Sequence, residues 1–172
     1  GLNRITSIIR SLLALTRYER PSPPKLIDIN KSIEASIDFL RYQAMCKAVD
    51  IVKILSPNLP RIPDFGLDSV FSNIFKNSLD ALDEKGSITI STALEHGLIK
   101  ISIRDTGCGI PKDNMDCIFE PFFTTKGMGK GSGLGLSICY DIVKRYNGKI
   151  DVSSEPNKGA TFTVYIPCEG SK

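Results

Sequence analysis

Apolar residues recur along this chain with two periods, near 3.6 and 2, and the places where one gives way to the other divide it into elements. Ile5, Ile8, Leu12 and Leu15, widened by Ile9 and Leu13, mark one face of an amphipathic helix over Asn3 to Arg17. Two heptads are too few to hold a helix alone, so that face needs the body of the domain or a partner helix to pack on. Pro21, Pro23 and Pro24 then end the pattern. Residues 1–18 therefore read as a helical stub, 19–25 as a linker and 26–168 as the main domain.

Within the main domain, Leu26 to Ile29 reads as a short strand, and Ile33, Ile37, Leu40 and Ala44 predict a helix to about Lys47. Val49 to Leu55 alternates as a strand. After the turn signals Pro57, Pro60 and Pro63, Asp64 stands as an N-cap for a helix with Leu67, Val70, Phe71, Ile74, Ser78 and Leu82 on one side, stopping before Gly86. Ser87 to Leu94 and Leu98 to Arg104 are alternating strands joined by the hairpin signal Glu95-His96-Gly97. From Thr106 to about Gly131 the chain is rich in Gly, Pro, Lys and Thr, with one helical turn expected around Asn114 to Phe119. So long a loop in a compact domain points to a functional lid. Ser132 is placed to cap a helix running to Tyr146, Asn147-Gly148 ends it, and strands Lys149 to Ser153 and Thr161 to Ile166 follow. The order β, α, β, α, β, β, lid, α, β, β predicts a two-layer α+β sandwich, with three long helices over one face of a sheet built largely from hairpins.

Composition narrows the function classes. With 172 residues the chain fits one domain, and a net charge of +3 from 22 basic and 19 acidic residues is spread without the basic block that follows nucleic acid. No apolar run approaches the roughly 20 residues that span a bilayer, so no membrane contact is expected of this piece. The start Gly1-Leu2-Asn3-Arg4 has no secretory h-region and suggests a fragment. Cys46, Cys108, Cys117, Cys139 and Cys168 form no CxxC pair, which fits a reducing, cytoplasmic setting, with Cys46 and Cys139 expected as small buried hydrophobes.

Four local patterns carry chemistry. On the helix over Ser72 to Leu82, Asn73, Asn77 and Asp80 fall within about 60° of one another beside the apolar face. An amide oxygen such as that of Asn77 suits Mg²⁺, which shares its oxygen ligands with phosphates; a solvated polar face gives the same stripe. Asp105-Thr106-Gly107-Cys108-Gly109 follows a strand directly: the carboxylate can accept from an exocyclic amine such as adenine's and disfavours guanine's carbonyl, though a tight turn with a capping Asp reads alike. Phe119-Glu120-Pro121-Phe122-Phe123-Thr124-Thr125-Lys126 offers loop anchors, then hydroxyls and a lysine for a phosphate. Gly127-Met128-Gly129-Lys130-Gly131-Ser132-Gly133-Leu134-Gly135 runs into a helix N-terminus, where free amides and a positive dipole end suit phosphate, and where a plain hinge is the alternative. Neither GxxxxGK[ST] nor GxGxxG occurs.

Taken in order, these segments resemble the N, G1, F and G2 boxes of the histidine kinase catalytic domain, a branch of the gyrase, chaperone and mismatch-repair ATPase superfamily. The likeness covers residues 25 to 167, and Glu120 to Lys126 is similar to the form in nitrogen-regulation and oxygen-sensing type kinases. It implies a Bergerat-type sandwich with a mixed, mostly antiparallel sheet and a long ATP lid. The cofactors implied are ATP and Mg²⁺, with Asn77 as metal ligand and Asn73 and Asn77 as the catalytic pair. Asp105 would read adenine, Gly107 and Gly109 would shape the pocket, and Thr161 of the segment Gly159-Ala160-Thr161-Phe162 would lie near Asp105 and the adenine. Lys126, Lys130, Gly133 and Gly135 would attend the phosphates, and Asn73, Asp80, Ala81, Ile110, Gly131, Ser132, Leu134 and Leu136 complete the nucleotide contacts that the resemblance implies. Hydrolysing relatives carry a glutamate where this chain has Asn73, which cannot act as a base, so transfer to a protein acceptor is favoured over hydrolysis. The stub resembles the C-terminal half of the second helix of the dimerisation and phosphoacceptor hairpin, implying a homodimeric parent, with that hairpin and a response regulator as partners. His96, in a hairpin turn, lacks the surroundings of a phosphoacceptor and reads as an exposed turn residue. A plain ATPase, a serine-directed anti-sigma kinase and a non-catalytic nucleotide sensor are the competing readings.

Overall fold

A computed structural model describes residues 24–83, 85–127 and 131–168. The stub and most of the linker, and Lys130, lie outside the described residues. The elements, in order, are β1 (Leu26–Ile27), α1 (Ile29–Cys46), β2 (Val49–Leu55), β3 (Ile62–Pro63), α2 (Leu67–Ala81), β4 (Gly86–Glu95), β5 (Leu98–Asp105), α3 (Gly135–Arg145), β6 (Lys149–Ser154) and β7 (Ala160–Pro167).

The main sheet has five strands in the order β2-β4-β5-β7-β6. Only β2 and β4 pair in parallel, because α2 crosses over between them; the other pairs are antiparallel. Alternation decides which face is buried. Ile88 and Ile90 of β4, Ile99, Ile101 and Ile103 of β5 and Phe162, Val164 and Ile166 of β7 are buried, while Ser91, Lys100, Ser102 and Thr163 between them remain partly exposed. α2 packs between α1 and α3 and supplies Val70, Phe71 and Ile74 to the same core. Each isoleucine so enclosed contributes roughly 1.5–3 kcal/mol. This is the two-layer sandwich expected. Among the described residues no helix is long and apolar enough to cross a membrane.

Several boundaries differ from the sequence reading, each for a local reason. Asp28 is not strand but the N-cap of α1, its side chain accepting from the Lys31 amide at 3.2 Å. A two-residue β3 pairs with β1, which proline density had concealed. Asp64 does not cap α2: its carboxylate accepts from the Gly66 amide at 2.8 Å, and Gly66, in left-handed geometry, takes the cap position. The helical turn expected around Asn114 to Phe119 comes earlier, as a 3₁₀ turn at Lys112–Asn114 followed by further turns. Ser132 likewise accepts only from the Leu134 amide, at 3.3 Å, and α3 starts at Gly135 with Leu134 as its cap. Cys139 is buried as expected, but Cys46 is exposed on the last turn of α1. His96 and Gly97 both take positive φ at the β4–β5 turn, and His96 is exposed.

Candidate functional site

The period of β5 sets the chemistry. Continuing the inward series Ile99, Ile101, Ile103 by two residues puts Asp105 on the core side, where only 2% of it remains exposed. A carboxylate there requires partners. Its Oδ1 accepts from the Gly107 amide at 2.9 Å and the Ala160 amide at 3.2 Å, and its Oδ2 accepts from the Ser78 hydroxyl at 3.2 Å. The loop after Asp105 is pressed against the end of α2. The Cys108 amide donates to the Ala81 carbonyl at 3.0 Å, and a Cβ on Gly107 would lie 2.6 Å from that same oxygen, so no side chain fits there. The Lys47 ammonium satisfies two further carbonyls at that end, Leu79 and Leu82, each at 2.7 Å.

Asp105 lines a cleft of ≈ 460 Å³, within the range of small-molecule sites. One wall is the polar stripe of α2, with Asn73, Asn77, Asp80 and Ala81. Gly109 and Ile110 continue it beside Asp105. The far side comes from the lid, through Phe123, Thr124, Thr125 and Lys126, and from Gly131, Ser132, Gly133, Gly135 and Leu136 at the start of α3. With Ala160 and Phe162 of β7, segments separated by up to half the chain thus converge on one cavity.

The lid is held at two places. Phe119 packs on the core and its ring lies 5.8 Å from that of Tyr140, while the Phe122 amide donates to the Gly133 carbonyl at 2.9 Å. Gly133 there has φ +68° and backs directly onto the Phe122 backbone, a place for glycine alone. Phe122 itself points outward, 69% exposed, so of the three phenylalanines only Phe119 and Phe123 are anchors. From the lid the Lys126 ammonium reaches back to α2, 2.7 Å from Asp80 Oδ2 and 3.2 Å from Asn77 Oδ1.

Some expected residues lie off the cavity. Thr161 is not part of its wall, since alternation along β7 turns Ala160 and Phe162 inward and Thr161 to the other face; the nucleotide-site segment enters through its neighbours. Gly107 acts from behind the wall, and Leu134 packs on the core. Sequence reasoning missed Lys76, which lines the cleft one turn after Asn73, and Cys108. Behind Asn73 sits Cys139: burial pushes its thiol up to about 12 from an ordinary 9.0, with a hydrogen bond from the Asn73 side chain acting in the opposite direction.

Residues 64–170 match the family described as histidine kinase-, DNA gyrase B-, and HSP90-like ATPase. Over 169 residues, 96% of this chain, the sequence is 33% identical to the sensor histidine kinase ZraS of Escherichia coli (strain K12), of which it covers 35%. The chain thus spans about a third of the length of that curated relative. Among solved structures, the catalytic domain of histidine kinase ThkA is similar with a TM-score of 0.75 at 28% identity, covering 85% of this chain and 96% of that one. ThkA in complex with the response regulator TrrA gives a TM-score of 0.75 at 25% identity, over 96% of this chain and 48% of that one. Full-length ShkA in complex with AMPPNP gives 0.78 at 27%, over 95% and 35%. This chain belongs to the histidine kinase-, DNA gyrase B- and HSP90-like ATPase family and has the ATP-binding sandwich of its histidine kinase catalytic domains.

Proposed function

We propose that this domain binds ATP with Mg²⁺ and delivers the γ-phosphate to a histidine on a phosphoacceptor helix, from which a response regulator draws it. The observation that carries this reading is the polarity of the cleft. Its lining combines a buried carboxylate with a lysine and the amide-rich entry to a helix, which matches a purine amine and a phosphate chain. That ShkA was solved with an adenine nucleotide and ThkA with a response regulator supports the same assignment.

The residues present fit magnesium. Asn77 Oδ1 is a hard oxygen that already accepts from a cation, the Lys126 ammonium. Among the described residues no cluster of three His, Cys, Asp or Glu side chains could hold a metal, so an ion at Asn77 would take its remaining ligands from phosphates and water. When bound, Mg²⁺ supplies charge neutralisation to the transferring phosphoryl group. Asn77 would hold it, Lys126 would attend the phosphates, and the first-turn amides of α3 would bind phosphate oxygens.

Transfer is favoured over hydrolysis because the cleft lacks a free base. Asn73 cannot take a proton, and the two carboxylates among the described lining residues are committed, Asp80 to Lys126 and Asp105 to three donors. The test is transfer in trans: this chain, Mg²⁺ and γ-labelled ATP are mixed with an acceptor hairpin of a parent kinase. Acid-labile label on the hairpin's histidine is expected. Binding of ATP without any transfer would favour a nucleotide sensor, and phosphate release alone an ATPase.

A further inference from the structure

We propose that Ser78 is a positioning residue for base selection, orienting the Asp105 carboxylate so that one acceptor site faces the cleft; this rests on the reading of Asp105 as the adenine contact. Ser78 lies on the apolar side of α2, one turn after Ile74, and is 1% exposed. A buried serine in a helix has an easy partner in its own backbone, and the other two buried serines among the described residues use it. Ser36 donates to the Ser32 carbonyl at 2.9 Å and Ser137 to the Leu134 carbonyl at 3.0 Å. Ser78 instead donates across the domain to Asp105 Oδ2, 27 residues away.

The consequence follows from counting acceptor sites. A carboxylate has about four. The Gly107 and Ala160 amides fill the two on Oδ1, and Ser78 fills one on Oδ2. The fourth is left for the cleft, which Asp105 lines. The two amides alone fix one oxygen and leave the group free to swing about it; the hydroxyl, coming from a different element, stops that swing. Ser78 itself is not on the cavity wall, so it acts through Asp105 and not by touching the base. A single outward acceptor matches a 6-amino purine, and its loss of orientation penalises that amine alone.

The experiment compares ATP with the triphosphate of purine riboside, which lacks the 6-amino group, on the whole chain by calorimetry. Ser78→Ala is expected to weaken ATP by about ten-fold, the scale of one hydrogen bond, while purine riboside triphosphate binds as before, so the preference for the amine collapses. Equal weakening of both ligands would mean that Ser78 only supports the fold, and an unchanged preference would mean that it does not orient Asp105; either overturns the inference while leaving the site intact. If the unsubstituted chain shows no preference for ATP over the purine analogue, the adenine role of Asp105 fails and this inference with it.

Discussion

Replacing Asp105 with asparagine should shift the base preference of the cleft from 6-amino toward 6-oxo purines, and the geometry says why. Oδ1 accepts from two backbone amides, Gly107 and Ala160, which cannot move aside. In the Asp105→Asn protein the side-chain oxygen must occupy that position, because an NH₂ there would face two donors. The NH₂ is then forced to the Oδ2 position, where Ser78 can turn to accept from it and its second hydrogen points to the cleft. An acceptor becomes a donor. Adenine loses a hydrogen bond to a charged group, worth about 1.5–3 kcal/mol, and a 6-oxo purine gains a neutral one, about 0.5–1.5 kcal/mol. The ratio of ATP to ITP affinity should therefore fall by roughly 2–4.5 kcal/mol, or about 30- to 2,000-fold. Calorimetric titration of both nucleotides into both proteins measures it, with thermal midpoints as a check that the variant folds. Equal losses for ATP and ITP, or an unaltered ratio, would refute the reasoning from the two pinned amides.

Asn77→Ala should lower nucleotide affinity in Mg²⁺ to the value found with EDTA, where variant and parent should agree; a variant that still responds to Mg²⁺ places the metal elsewhere. Gly107→Ala sets a methyl 2.6 Å from the Ala81 carbonyl oxygen, so overpacking of about 1–3 kcal/mol should lower the urea midpoint and weaken nucleotide binding together. Cys139 should make the fold alkali-sensitive. Its thiol titrates near 12 when folded against 9.0 ordinarily, so the unfolded chain loses the proton first. Stability should fall as pH rises above about 9, at up to about 1.4 kcal/mol per pH unit. Urea titrations at about pH 8 and about pH 10 should show a smaller drop for Cys139→Ala, and parallel drops would count against the buried thiol.

Most of the scaffold could be read from the chain because burial follows period. The β4–β5 hairpin shows this best: its isoleucines alternate, its turn carries Gly97, and both strands form within a residue of the expected bounds. β2 matched its expected bounds although it sits at an edge. What escaped was set by three-dimensional neighbours. Asp64 and Ser132 have capping side chains, but each bonds an amide two residues on, so the helices start later. In the site, spacing along α2 brought Asn73, Asn77 and Asp80 together, yet nothing local could reveal that a lysine 49 residues on would rest against Asn77. The contact that β7 makes with Asp105 could not be read locally, because it comes from the Ala160 backbone amide and leaves no side-chain signature.

The parts of the cleft around Asp105 and around Lys126 are built to different standards of stiffness. The Asp105 part is rooted in a central strand and tied to three elements, so the Gly107 amide should exchange with solvent hydrogen only when a large part of the domain opens. In the other part, the Lys126 amide rests on the hydroxyl of exposed Thr124 and should exchange through small local openings. A ligand altered at its ring therefore meets a wall that cannot yield, while one altered at its tail meets a surface that can reshape around it. Compounds aimed at this domain would draw their selectivity from the first and their tolerance from the second.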